Sequence, residues 1–219
     1  MADVDPTGPA PDLTDDLIDA LAARGMAEPV IDGRRLRAER GRAAVVAATL
    51  ELVDRGAVPT FGEIARRSGV SERTIFRYFP DREALLGAVV AEVYPGIAHC
   101  LALDAPDGDL AERAGRLVAL RLDLAERTAG LARSVERLAP TSHLAATVVS
   151  LRNDRLHDQV ARWFRPELDC LDPDDATAAA AVLDVLLAGP GVQRLQEVLG
   201  RDRAAQELVA TVARLLVRR

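Results

Sequence analysis

The chain has 219 residues, 49% of them hydrophobic and 3% aromatic, with a formal net charge of -6; this is enough apolar content for a sizeable core and describes a soluble globular protein rather than a disordered one. Two cysteines and three histidines are too few for a disulfide framework, and their spacing marks no zinc or other metal site. The N-terminus carries acids where a signal peptide needs a basic segment, and no run approaches about 18 uninterrupted apolar residues, so a reducing cytoplasm is the expected setting.

The acidic sum hides an uneven distribution. Residues 1–32 carry one Arg and eight acids, residues 33–90 eleven Arg and seven acids, and residues 91–219 sixteen Arg and nineteen acids. The middle segment is therefore the basic one. All 28 cationic residues are Arg, so a preference for Arg over Lys says nothing here, and only position is informative. Abundant Ala and Leu with little Gly, Pro or aromatic residue favour helix throughout, and the expected fold class is all-α.

In chain order, Pro6, Gly8, Pro9 and Pro11 mark an acidic leader, after which Leu13, Leu17 and Leu21 predict a short helix up to Gly25. This extension, residues 1–32, reads as a solvated tail rather than a competitor for a basic surface. Val45, Val46, Thr49, Leu50, Leu52 and Val53 repeat with helical period between Arg34 and Arg55, and Gly56 is a stop signal. Thr60-x-x-Glu63 reads as a capping box opening a helix with Phe61, Ile64 and Ala65 on one face, which runs to about Ser68 before Gly69. Ser71 caps the next helix, Val70 and Ile75 are spaced as a hydrophobic staple, and Pro80 ends it with Asp81 as the following cap.

Two short helices joined by a tight Gly-containing turn have the spacing of a helix-turn-helix. On the second, Ile75 and Phe79 share one face while Arg73 and Arg77 occupy the other, flanked by Thr74 and Phe76. Three of the chain's seven aromatic residues, Phe76, Tyr78 and Phe79, fall in this helix and its end. An apolar back and a cationic front suit a helix that enters a nucleic-acid groove.

Beyond residue 80 all segments read as helical. They are 81–103 with a bend at Pro95-Gly96, two helices within 110–139 separated near Gly130, and 141–164 closed by Pro166. An Ala-rich helix over 173–188 follows, then a short piece after Gly189-Pro190-Gly191, and a last helix over 202–217. Tyr94, His99, Arg121, His143, Arg152, His157, Trp163 and Phe164 are the polar or aromatic candidates for a ligand pocket in this larger part. Trp163 and Phe164, near the end of a long helix, lead the set, and the alkyl-rich surroundings point to an apolar or amphipathic ligand.

The stretch from Phe61 to Leu86, FGEIARRSGVSERTIFRYFPDREALL, resembles the DNA-binding segment of the tetracycline-repressor-like (TetR) family of bacterial transcriptional regulators. The resemblance rests on the order Ile64-Ala65, the turn Ser68-Gly69-Val70-Ser71, Thr74, and Tyr78-Phe79 followed by an acid and a base. It covers about fifty residues from Arg35 to Leu86. It implies a three-helix DNA-binding domain over 33–86 and a helical ligand-binding and dimerisation domain over 87–219. It further implies a homodimer through the helices at about 174–188 and 202–217, a palindromic double-stranded operator, and release of a repressor by a small effector whose identity the sequence does not give.

Carried over by position, the resemblance places Ser71, Arg73, Thr74 and Phe76 against bases or adjacent backbone, and Thr60, Tyr78 and Arg82 against phosphates. Arg34, Arg35 and Arg37 would reach phosphates or a neighbouring minor groove. Phe76 stands where the family often has Tyr, which exchanges a hydroxyl for apolar contact with a thymine methyl. Arg77 stands where His is frequent and adds a charge for a phosphate. Two other classes compete. A helix-turn-helix can dock another protein, and spatial clustering can assemble an enzyme site, but no phosphate loop, nucleophile motif or carboxylate pair favours catalysis, and no cofactor is expected.

Overall fold

The computed structural model describes residues 33–55 and 58–217, with side chains described from Leu36 onward; the helix expected over 13–25 lies outside the described residues. Among those residues there are ten helices and no strand. They are α1 (Gly33–Asp54), α2 (Phe61–Ser68), α3 (Glu72–Tyr78), α4 (Arg82–Ala102), α5 (Leu110–Leu138), α6 (His143–Trp163), α7 (Arg165–Leu168), α8 (Pro173–Leu187), α9 (Gly189–Leu199) and α10 (Arg201–Leu216).

Local chemistry sets the ends of the first helices. At the start of α2, the Thr60 hydroxyl oxygen accepts from the Glu63 N–H at 3.3 Å while Glu63 Oε2 accepts from the Thr60 N–H at 2.7 Å, so two otherwise orphaned donors are satisfied at once. These bonds from Thr60, the backbone one foremost, hold the Glu63 carboxyl below its usual range. The helix ends at Gly69, whose φ of 71° is left-handed and whose N–H donates to Ala65 O, a conformation that strains any residue bearing a Cβ. Ser71 then accepts from Thr74 N–H to open α3, and Asp81 accepts from Ala84 N–H at 2.7 Å to open α4. Each such cap contributes about 1 kcal/mol.

Two apolar cores organise the chain. The first joins Val45 and Val53 of α1, Ile64 of α2, Ile75 of α3, Phe79, and Leu85 and Val89 of α4, and it takes in Leu131 and Val135 of α5 and Ala145 of α6. The second joins Leu117 and Leu122 of α5, Val160 and Trp163 of α6, Leu183 of α8, Val192 of α9, and Leu208 and Val212 of α10. The head core thus continues past residue 86, because α5 and α6 run long enough to contribute to both. By length and composition alone α4 is apolar enough to cross a membrane; its Leu85, Leu86, Val89 and Val90 are instead buried in the head core.

Two sequence expectations change, over α5 and α9, and the one long segment expected over 81–103 is found as α4. α5 is one unbroken helix from Leu110 to Leu138, not two separated near Gly130. A Cβ at Gly130 would lie 2.4 Å from Asp54 Cα and 2.6 Å from Val53 O, so this glycine marks where α5 abuts the end of α1 rather than where a helix stops. α4 continues through Pro95 to Ala102 as a single helix. Gly189 and Pro190 form the first turn of α9, which meets α8 at 61°; an early Pro there forfeits no intrahelical bond.

Candidate nucleic-acid interface

α3 separates its two faces sharply. Ile75 is 0% exposed and Phe79 1%, while Arg73 and Arg77 are exposed on the far side. The apolar pair seats the helix in the head core, and half-buried Val70 packs against the same cluster. The guanidinium groups therefore project outward from a helix fixed at its back.

The other predicted contacts have local duties as well. Phe76 is 47% exposed yet its ring packs on Phe61, with centroids 4.6 Å apart and planes tilted by 46°, so its position at the protein edge is set by an aromatic pair. Ser71 Oγ and Thr74 Oγ1 lie 2.9 Å apart and bond each other. The Thr60 hydroxyl donates to Glu63 Oε2 at 2.8 Å. Arg82 Nη1 donates to Pro59 O at 3.4 Å, tying the start of α4 to the segment entering α2. Arg77 sits with its guanidinium carbon 5.5 Å from the centre of the Tyr78 ring. Arg37 is exposed on α1; the side chains of Arg34 and Arg35 lie outside the described residues.

Sequence reasoning passed over the groups that hold α3 from behind. Arg42 of α1 donates through Nη1 to Tyr78 O at 2.7 Å, and its guanidinium carbon stands 4.5 Å from the centre of the Phe79 ring. A cation on the last carbonyls of a helix satisfies orphaned acceptors and complements the dipole. Tyr78 lies on Gly41, where a Cβ would come within 2.7 Å of its hydroxyl oxygen. No local signal marks either residue, because their partners are 36 and 37 positions away.

Residues 45–89 match the family model for bacterial regulatory proteins, tetR family. The chain carries a TetR-family DNA-binding domain. The match begins and ends on core residues, Val45 of α1 and Val89 of α4, and encloses the whole of α2 and α3, so the TetR-type segment coincides with the seated helix described above. The chain is accordingly a DNA-binding transcriptional regulator. No curated protein matches it.

The larger helical part of the chain contains an apolar cavity between α4, α5, α6 and the α8–α9 corner, with about 90 Å³ open to the centres of water-sized molecules. Tyr94, Arg121 and Arg152 line it, together with Arg155 and Gln193, which the sequence did not single out. The other pocket candidates lie elsewhere. Trp163 and Phe164 are buried in the second core, where the Trp163 indole N–H donates to Leu103 O at 2.8 Å. His99 and His143 are exposed. His157 faces Asp184 at 2.6 Å, outside the cavity wall. Long aromatic residues near a helix end serve packing here, and the cavity is walled by aliphatic side chains.

Proposed function

We propose that the protein is a homodimeric repressor that places α3 of each protomer in the major groove of a palindromic operator and is released by a small molecule held in the cavity. The observation that carries the DNA reading is the geometry of α3: Ile75 and Phe79 sealed behind, Arg73 and Arg77 free to meet a duplex in front. In this arrangement Arg73, Thr74 and Phe76 read bases, Ser71 supports them as the cap, and Thr60, Arg77, Tyr78 and Arg82 meet phosphates. Arg34, Arg35 and Arg37 reach the flanking backbone or minor groove.

Release by a ligand is supported by α4. Its first half lies in the head core through Leu85 and Val89, and its second half walls the cavity through Val93, Tyr94 and Ile97. A molecule entering the cavity presses on the same rigid helix that seats the head, which gives the two sites a shared element to bias. Dimerisation is supported by α8, where Ala178, Ala181, Val182 and Val185 form an exposed stripe at helical spacing, Val185 being 70% exposed. On α10 the stripe Ala204, Leu208, Val212 and Leu216 packs within the chain, while Ala210, and Val217 just past the helix, are exposed and Ala213 is half-buried.

Footprinting on the DNA upstream of the protein's own gene tests the reading, with protection of a palindrome expected. If the dimer neutralises about eight phosphates, log affinity falls against log salt with a slope near roughly -7. A slope near zero, or no protected palindrome, overturns the DNA-binding geometry.

A further inference from the structure

Arg121 is the residue of the cavity that its surroundings leave incomplete. It is 2% exposed, and its Nη2 donates to Leu156 O at 3.0 Å, but Nε and Nη1 are buried with no hydrogen-bond partner among the described residues. A buried charged donor without an acceptor is among the costlier features a fold can retain. Burial pulls its pKa down to about 10, with Asp184 opposing that fall and Arg162 adding to it, so the guanidinium keeps its charge at neutral pH. Asp184 makes no hydrogen bond to it, and its Oδ2 is engaged by His157 at 2.6 Å.

The rest of the wall selects in the same direction. Arg152 and Arg155 also line the cavity, and among the described residues no acidic one does. Arg152 is already paired with Glu136 at 2.9 Å, whereas Arg121, beside the Asp184 charge, keeps two buried N–H groups without an acceptor. Around it the wall is aliphatic, including Val93, Ile97 and Leu124. The open space admits roughly six to nine water-sized centres at about 10–15 Å³ each, room for an alkyl chain of moderate length.

We propose that this cavity is built for a medium-chain aliphatic carboxylate, with the carboxylate on Arg121 and the alkyl chain along the α4 and α5 side chains. The assignment rests on the reading of the cavity as the effector site and names the chemical class of that effector. The carboxylate brings the acceptor that the two buried guanidinium N–H groups lack and adds its charge to that of Asp184, and the chain exchanges water for apolar wall.

The test is calorimetric titration of the full-length protein with octanoate and with 1-octanol, in the wild type and in Arg121→Met, which keeps much of the side-chain length without the charge. Octanoate is expected to bind the wild type at least about tenfold more tightly than 1-octanol, a preference of the size a charge-assisted hydrogen bond supplies. Arg121→Met is expected to bring the two probes to similar affinity while 1-octanol still binds. Equal affinities in the wild type, a carboxylate preference that survives Arg121→Met, or no binding of either probe overturns the assignment. Should Arg121→Met fail to fold, the acid-to-alcohol comparison in the wild type decides alone. Operator binding is measured in parallel: octanoate that binds with the expected preference and leaves operator affinity unchanged overturns release by ligand but not the carboxylate site.

Discussion

Arg73 and Arg42 are both arginines of the head and do opposite work. Arg73 stands exposed on the outer face of α3, so Arg73→Ala is expected to leave the unfolding midpoint nearly unchanged. It is expected to weaken the cognate operator by about 1–3 kcal/mol and relax preference at one base pair. Equal losses on cognate and scrambled DNA would remove the base-reading role. Arg42 holds Tyr78 O and covers Phe79, so Arg42→Met is expected to destabilise the head by about 1–3 kcal/mol in denaturant unfolding and to weaken all DNA sequences alike. Helical periodicity separates the two faces of α3 and makes Arg73 legible; it is silent on a partner brought 36 residues along the chain, which is why Arg42 was not. His157 gives a third residue-scale test. Its hydrogen bond to Asp184, and then the Asp184 charge, raise its pKa against an opposing effect of burial. The bond between α6 and α8 therefore adds stability below the ordinary imidazole value near 6.5, and that increment is lost as pH rises through the raised value. The imidazole is 55% exposed, so the gain is that of a screened surface pair, about 0–1 kcal/mol. An NMR titration should place the His157 midpoint above about 6.5 and show it falling toward that value in Asp184→Asn.

At the scale of elements, two glycines of α5 make opposite predictions. Gly130 faces the backbone of α1 so closely that a Cβ would lie 2.4 Å from Asp54 Cα, and backbone cannot swing aside as a flexible side chain can. Gly130→Ala is expected to lower stability by about 1–3 kcal/mol through overpacking. Gly115 has nothing within 4 Å of its would-be Cβ, so Gly115→Ala is expected to stabilise by about 0.4–1 kcal/mol through helix propensity and the entropy of the unfolded chain. Thermal or denaturant unfolding of the two variants compares them directly; a neutral Gly130→Ala would mean that α1 and α5 are free to separate. The same pair shows where sequence reading ends. Caps such as Thr60, Ser71 and Asp81 act within three residues and were legible, Thr60 together with its partner Glu63. Gly130 carries the same letter whether it ends a helix or admits another one, and only the approach of α1 distinguishes the cases. Of the pocket candidates named from sequence, Tyr94, Arg121 and Arg152 line the cavity, whereas the burial of Trp163 and Phe164 depends on α8 and α10 closing over them.

For the whole molecule the proposed dimer turns on how two heads are held at a fixed separation. A single head of the size of α1–α4 meeting about four phosphates has a salt slope near roughly -3.5, against roughly -7 for a linked pair. Linking converts the second engagement into an intramolecular one, so loss of the dimer lowers affinity for the full palindrome far more than for a half-site. In the proposed dimer the stripe on α8 supplies the linkage. Val182 and Val185 are 43% and 70% exposed and make no contribution to either core, so charging them leaves the protomer's own packing intact. The double substitution Val182→Glu, Val185→Glu places like charges directly across a self-complementary interface. It is expected to halve the mass seen in sedimentation equilibrium, to leave the helical circular dichroism unchanged, and to bring the salt slope toward roughly -3.5. A variant that stays dimeric with full operator affinity would move the two-fold axis off α8. A wild type that sediments as a monomer and still protects a palindrome would require the two heads to be joined by the DNA alone.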